Sequence, residues 1–216
     1  MFSKNINFKA FNYKPVNKKL KKHFSEILSK NNEILKSLTP NYKYNYSKNL
    51  IKKFKKDKVL KIIGMGGSIL GTRAIHDYLK HKIKKKIIFF DNIETDLKIK
   101  KKGINLIISK SGNTLETIVN SNIIIKKYEK NIFITESQDS YLRLLALKVK
   151  AEIINHNNFI GGRYSVLSEV GMLPAELMDL DESKFKQLNN LIKNKSFINS
   201  LIANVSSTLF FIKNKK

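Results

Sequence analysis

The middle of the chain alternates between two hydrophobic patterns. Short runs of Ile, Val, Leu and Phe, four to seven residues long, are separated by longer stretches with apolar positions three and four apart. The runs are "VLKIIGM", "KIIFFD", "INLIIS", "NIFIT" and "AEIIN". Between them stand "ILGTRAIHDYLK", "TLETIVNSNIIIKKY" and "SYLRLLALKVK". A run that is apolar at nearly every position predicts a strand buried on both faces, and a three-to-four spacing predicts an amphipathic helix. Their alternation from Lys58 to Asn155 predicts βαβ units. The fold class is therefore α/β, a parallel sheet flanked by helices on both faces in a three-layer sandwich.

The flanks read differently. "VNKKLKKHFSEILSKNNEILKSL" places Leu20, Phe24, Ile27, Leu28, Ile34, Leu35 and Leu38 near helical spacing, and "TPNYKYNYSK" after it reads as a connector. Beyond Asn155, "HNNFIGGRYSVLSEVGMLPAELMDLDE" reads as a loop leading into helix, with further helices around 183–193 and 197–212. The expected division is a helical extension over 1–58, an α/β domain over 59–175 and a helical segment over 176–216.

Composition narrows the chemistry. The 216 residues include no cysteine, which removes disulfides, thiolate nucleophiles and zinc–thiolate sites. "MFSKNINFKAF" carries no continuous apolar segment of the kind a secretory signal needs. No run approaches the roughly 18 apolar residues of a membrane span. A soluble, cytoplasmic protein with no membrane partner is expected. Forty-two basic residues against 17 acidic ones give a net charge of +25, which raises the question of nucleic acid. Only three of the 42 are arginines, Arg73, Arg143 and Arg163, and the lysines are spread along the chain rather than gathered in a stripe. Arginine is the preferred residue for planar recognition of phosphates and base edges. The charge is therefore read as a drift in composition, with no nucleic-acid partner expected.

Ligands of a parallel α/β sheet sit beyond the carboxyl ends of the strands, so the loops that follow the strands matter most. In "GMGGSILG", Gly64 to Gly71, the glycines allow the backbone to approach a ligand, and a helix starting near Ser68 would aim free N–H groups there. The same letters also describe a tight turn with Ser68 as N-cap. In "SKSGNTLET", Ser109 to Thr117, Asn113 followed by Glu116 resembles a capping box. That account gives no task to Ser109, Ser111 and Thr114, whose hydroxyls beside Lys110 at a helix start suit an oxyanion. In "GGRYS", Gly161 to Ser165, Arg163 either offers a planar fork of donors to an anion or is a surface arginine beside a flexible turn.

Together, in this order, the three stretches resemble the glucose-6-phosphate isomerase family, whose hallmarks are a GIGGS-type loop, an SK(T/S)-x-x-T-x-ET loop and a GGR-(Y/F)-S segment. The resemblance runs from about Val59 to Pro174. It implies a sugar isomerase (SIS) domain of flavodoxin-like layering, and interconversion of glucose 6-phosphate and fructose 6-phosphate through an enediol, without metal or organic cofactor. By resemblance, Gly67 and Ser68 contact the sugar phosphate. Ser109, Lys110, Ser111, Gly112, Asn113 and Thr114 form the phosphate cradle, and Glu116 positions their loop. Arg163 stabilises the charge of the intermediate as the catalytic residue.

The family's glutamate base, ring-opening histidine and C-terminal lysine have no matching segment here. His23, His76, His81 and His156 all precede Arg163, and Glu169, Glu176 and Glu182 lie in helix-like contexts. The expectation is therefore the N-terminal portion of a longer enzyme, a homodimer when complete and inactive as this portion alone, with a second SIS domain following. "SGNT" in place of the commoner Thr-x-Thr form also occurs in other sugar isomerase domains. A dual phosphoglucose/phosphomannose isomerase and a non-catalytic sugar-phosphate-binding protein stay open beside the main reading.

Overall fold

The structure, a computed structural model, describes residues 18–30, 33–93, 102–126, 128–188 and 194–214. Its contacts divide into two compact units, Asn41–Phe185 and the helices on either side of it in sequence. The flanking helices are α1 (Lys18–Ser29), α2 (Glu33–Ser37) and α8 (Lys195–Asn214). The helix expected over 16–38 is thus α1 and α2, while residues 16, 17, 31 and 32 lie outside the described residues. The helix expected at 183–193 is a 3-10 segment, Glu182–Leu188, and 189–193 also fall outside. No helix among the described residues is long and apolar enough to cross a membrane.

The larger unit holds all five expected strands: β1 (Val59–Gly64), β2 (Lys86–Phe90), β3 (Ile104–Ile108), β4 (Lys130–Thr135) and β5 (Glu152–Asn155). They form one parallel sheet in the order β2-β1-β3-β4-β5. Every residue of β1 and β3 is buried, as runs without polar alternation require. Side chains alternate between two cores. Leu60, Ile62, Ile104, Leu106, Ile108, Ile132 and Ile134 meet α3 (Lys48–Phe54), α4 (Gly67–Leu79) and α7 (Glu169–Leu177). Ile63, Ile107 and Phe133 meet α5 (Leu115–Ile124) and α6 (Tyr141–Lys148) on the other face. Helices thus cover both faces.

Helix α7 is buried at all nine positions and contains Pro174. Proline has no N–H to give the carbonyl four residues back. That carbonyl, Val170 O, accepts from Thr72 Oγ1 of α4 instead, at 3.2 Å. The proline is accommodated because a neighbouring helix takes up the orphaned acceptor.

The segment expected to be a mere connector is a clip. Tyr42 donates to both carboxylate oxygens of Glu169 at 2.9 and 3.1 Å, and Tyr46 to Glu176 at 2.9 Å. Tyr44 donates to Glu182 at 3.0 Å and stacks on Tyr46, centroids 5.0 Å apart. Glu169 is fully buried and also accepts the Asn45 N–H at 3.2 Å, so its desolvated charge is well supplied with donors. Burial, then the Glu176 carboxylate, pushes the Tyr46 phenol far above its ordinary range, so it stays a donor.

Candidate functional site

The order β2-β1-β3-β4-β5 reverses direction at β1 and β3. The chain leaves β1 for α4 on one face and leaves β3 for α5 on the other. Gly64 and Ile108 are register partners, so the two following loops open side by side. Such a switch point is the natural crevice of an open α/β sheet. All three singled-out loops border it.

After β1, α4 begins at Gly67, beside the expected start near Ser68; the N-cap is Gly66, in a positive-φ conformation of 55°, and Ser68, the N-cap of the alternative reading, lies inside the helix. Gly67 lies backbone-to-backbone against the Gly162 segment. A Cβ built on Gly67 would stand 2.6 Å from Gly162 O and 2.8 Å from Arg163 N. Any side chain here would separate the first loop from the arginine loop.

After β3, Ser109 is 2% exposed and its Oγ lies 3.0 Å from Thr114 Oγ1. Gly112 turns back under Ser109, its N–H 3.2 Å from both Ser109 O and Ser109 Oγ. The turn requires φ of +66° at Gly112, and the space a Cβ would need is filled by Ser140 and Thr135. Ser111 and Asn113 are exposed at the tip, the Asn113 N–H on Ser111 Oγ at 3.3 Å. The N-cap of α5 is Thr114, not Asn113, and makes no side-chain cap bond. Asn113 Oδ1 accepts the Tyr141 N–H at 3.0 Å, which ties the loop to the start of α6. With no side-chain cap, the N–H groups of the first turn of α5 face outward beside the Ser109–Thr114 pair, where an anion suits both the donors and the dipole. Glu116 stands in that first turn.

Lys110, a cradle residue by resemblance, has its side-chain contacts on other loops. Its Nζ donates to Asn158 O at 2.7 Å and pairs with Glu136 at 3.3 Å, while its carbonyl accepts the Glu136 N–H at 3.0 Å. Arg163 follows Gly161–Gly162 at the start of a 3-10 segment, Gly162–Leu167. It is exposed, and no side-chain hydrogen bond or ion pair holds it among the described residues. Its backbone is fixed, because Ser165 Oγ donates to Gly162 O at 2.6 Å and Tyr164 N to Gly161 O at 2.9 Å. The other two arginines are engaged, Arg73 with Asp91 at 2.8 Å and Arg143 with Glu136 O and Asn155 Oδ1 at 3.1 Å.

No motif in the sequence assigns a role to His156. It follows β5, 3% exposed, with its N–H on Thr135 O at 2.8 Å and no partner for Nδ1. Burial first, and then the Lys110 charge, lower its pKa to about 4, so the ring is neutral near pH 7. Among the described residues no three His, Asp or Glu side chains converge as a metal ion would require.

Residues 45–206 match a family model described as Phosphoglucose isomerase. A glucose-6-phosphate isomerase of Methanocaldococcus jannaschii is 36% identical, over 65% of this chain and 40% of its own. One of Mycoplasmopsis pulmonis is 30% identical, over 83% of this chain and 52% of its own. The chain thus spans about half, or less, of the length of these relatives. Among solved structures, a hypothetical protein of Thermus thermophilus superposes with a TM-score of 0.66 at 18% identity, over 86% of this chain and 51% of its own. The tagatose-6-phosphate ketose/aldose isomerase of Escherichia coli gives a TM-score of 0.51 at 12% identity, over 66% of this chain and 44% of its own. At those identities the two structures speak for the fold alone.

Proposed function

With the chain belonging to the phosphoglucose isomerase family, we propose that its crevice binds the phosphate and open-chain sugar of glucose 6-phosphate and fructose 6-phosphate for their isomerisation. Ser109, Ser111, Gly112, Asn113 and Thr114, with the first turn of α5, take the phosphate; Gly67 and Ser68 close it from the first loop. The observation that carries this reading is the buried Ser109 with its Oγ 3.0 Å from Thr114 Oγ1, at an α5 start that lacks a side-chain cap. Each hydroxyl has a single proton and two acceptor sites. The pair therefore keeps a donor for a phosphate oxygen, and backbone N–H groups supply more.

The chemistry proposed is proton transfer between C2 and C1 through an enediol. Arg163, held by its backbone beside Gly67 and free of side-chain partners among the described residues, can offer its guanidinium to the oxygens of the enediolate, where charge develops. No residue is assigned as the base.

Calorimetric titration with fructose 6-phosphate tests the binding half of the reading. Ser109→Ala and Thr114→Ala should each weaken binding by about 1–3 kcal/mol, the loss of a hydrogen bond to a charged group. Unchanged affinity in both would return these residues to starting a helix. A coupled assay for glucose 6-phosphate formed from fructose 6-phosphate tests the catalytic half. Tight binding without turnover would favour a sugar-phosphate-binding protein over an isomerase.

A further inference from the structure

Arg163 has no side-chain anchor among the described residues, so its place is set by the loop that carries it. One end of that loop is wedged against Gly67 and tied by Ser165 to Gly162 O. The other end is the turn 156–160. Asn157 Oδ1 accepts the Phe159 N–H at 3.0 Å, and Ile160 is fully buried. At its crown, Asn158 and Phe159 are exposed. Another loop reaches that crown through Lys110, whose Nζ donates to Asn158 O at 2.7 Å.

Lys110 belongs to the phosphate loop and sits between Ser109 and Ser111. Its ammonium is matched by Glu136 at 3.3 Å, and Glu136 is itself fixed by its N–H on Lys110 O and by Arg143 on its carbonyl. A lysine paired to a carboxylate and donating to a carbonyl brings little net charge to a phosphate. We infer that Lys110 is a positioning residue, a tether that joins the phosphate loop to the arginine loop and sets where Arg163 stands when the cradle is filled.

This deepens the sugar-phosphate reading and rests on it for the ligand. The coupling follows from the connectivity. The Lys110 backbone is fixed to the end of β4 through the Glu136 N–H and Thr135 Oγ1, at 3.0 and 3.3 Å. A phosphate that orders Ser109 and Ser111 therefore also orders the stem of the lysine between them. Its tip then holds the Asn158 turn four residues before Gly162.

The test is the double variant Lys110→Met with Glu136→Gln, which removes the pair without changing local net charge. Hydrogen–deuterium exchange of wild type and variant reads the tether without any ligand. Amides of 157–162 should exchange at least about fivefold faster in the variant, with those of β1 and β3 unaffected. Unchanged exchange overturns the tether.

Titration with inorganic phosphate and with arabinonate 5-phosphate, whose carboxylate mimics the enediolate, reads the consequence. Inorganic phosphate affinity should stay within about twofold. Aldonate affinity should fall about tenfold, and adding Arg163→Met should cost no more than Arg163→Met alone. A tenfold loss of inorganic phosphate affinity would instead make Lys110 a direct phosphate ligand and overturn the proposal. Faster exchange in a protein whose wild type binds neither ligand supports the tether and sinks the sugar-phosphate reading.

Discussion

Gly67→Ala puts the contact between the two glycine loops to the test. The added methyl carbon would stand 2.6 Å from Gly162 O and 2.8 Å from Arg163 N, with a still closer approach to the Gly162 carbonyl carbon. Favourable carbon contacts lie at about 3.5–4.0 Å, so the two backbones must part by roughly 1 Å. Overpacking of that kind costs about 1–3 kcal/mol. Helix propensity opposes it: alanine is favoured over glycine by up to about 1 kcal/mol in a helix interior, and by less at a first helical position. The net expectation is a loss of about 1–2 kcal/mol, or roughly 2–8 °C in Tm for a chain of this size.

Because the displaced atoms include the Arg163 amide, affinity for fructose 6-phosphate should fall about tenfold as well, or about 1.4 kcal/mol. Gly161→Ala is the control within the same loop. Its φ of −68° suits any residue, and its Cβ would meet only Tyr164 Cδ2 at 3.7 Å. It should leave stability and affinity unchanged, or raise stability by about 0.5 kcal/mol through the unfolded chain. Thermal melts and titration of both variants decide the matter. If Gly67→Ala matched Gly161→Ala in both measurements, the close approach of the loops would not be what positions Arg163.

Three further expectations concern stability. Gly112→Ala places a side chain at φ of +66° and into Ser140, and should cost about 2 kcal/mol or more in a urea titration. His156, neutral in the fold with a pKa of about 4, is protonated in the unfolded chain below its ordinary value near 6.5. The unfolded state thus binds the extra proton between those values, and stability falls as pH is lowered from 6.5 to 4, by up to about 3 kcal/mol. Urea midpoints across that window should slope less in His156→Gln; an unaltered slope would assign the loss to other groups. Tyr46→Phe removes the donor 2.9 Å from Glu176 and should cost about 1.5–3 kcal/mol, the range for bonds to charged groups, in the same titration.

The five strands were legible because burial on both faces leaves no polar alternation: "INLII" and "VLKIIG" are apolar at all but one position each, Asn105 and Lys61, and both of these reach Glu129. The candidate loops stand out in the sequence because glycines and hydroxyls lie where strands end. What the sequence hid is long-range pairing. The tyrosines of "NYKYNYSK" meet glutamates 127 to 138 residues away, a distance at which no local periodicity carries information. Asn113 and Glu116 fit a capping box locally, yet Asn113 is drawn to Tyr141 28 residues on, which leaves the helix start without its side-chain cap. The side-chain contacts of Lys110 lie on the loops after β4 and β5, beyond anything its sequence neighbours announce. His156 carried no signal at all, because only folding buries it.

A crystal structure with fructose 6-phosphate bound tests the central claim most directly. The phosphate oxygens should lie within hydrogen-bonding reach of Ser109 Oγ, Thr114 Oγ1 and the first N–H groups of α5, with C1 and C2 directed toward Arg163. A sugar phosphate bound elsewhere on the chain, or a crevice still empty at saturating ligand, would contradict it.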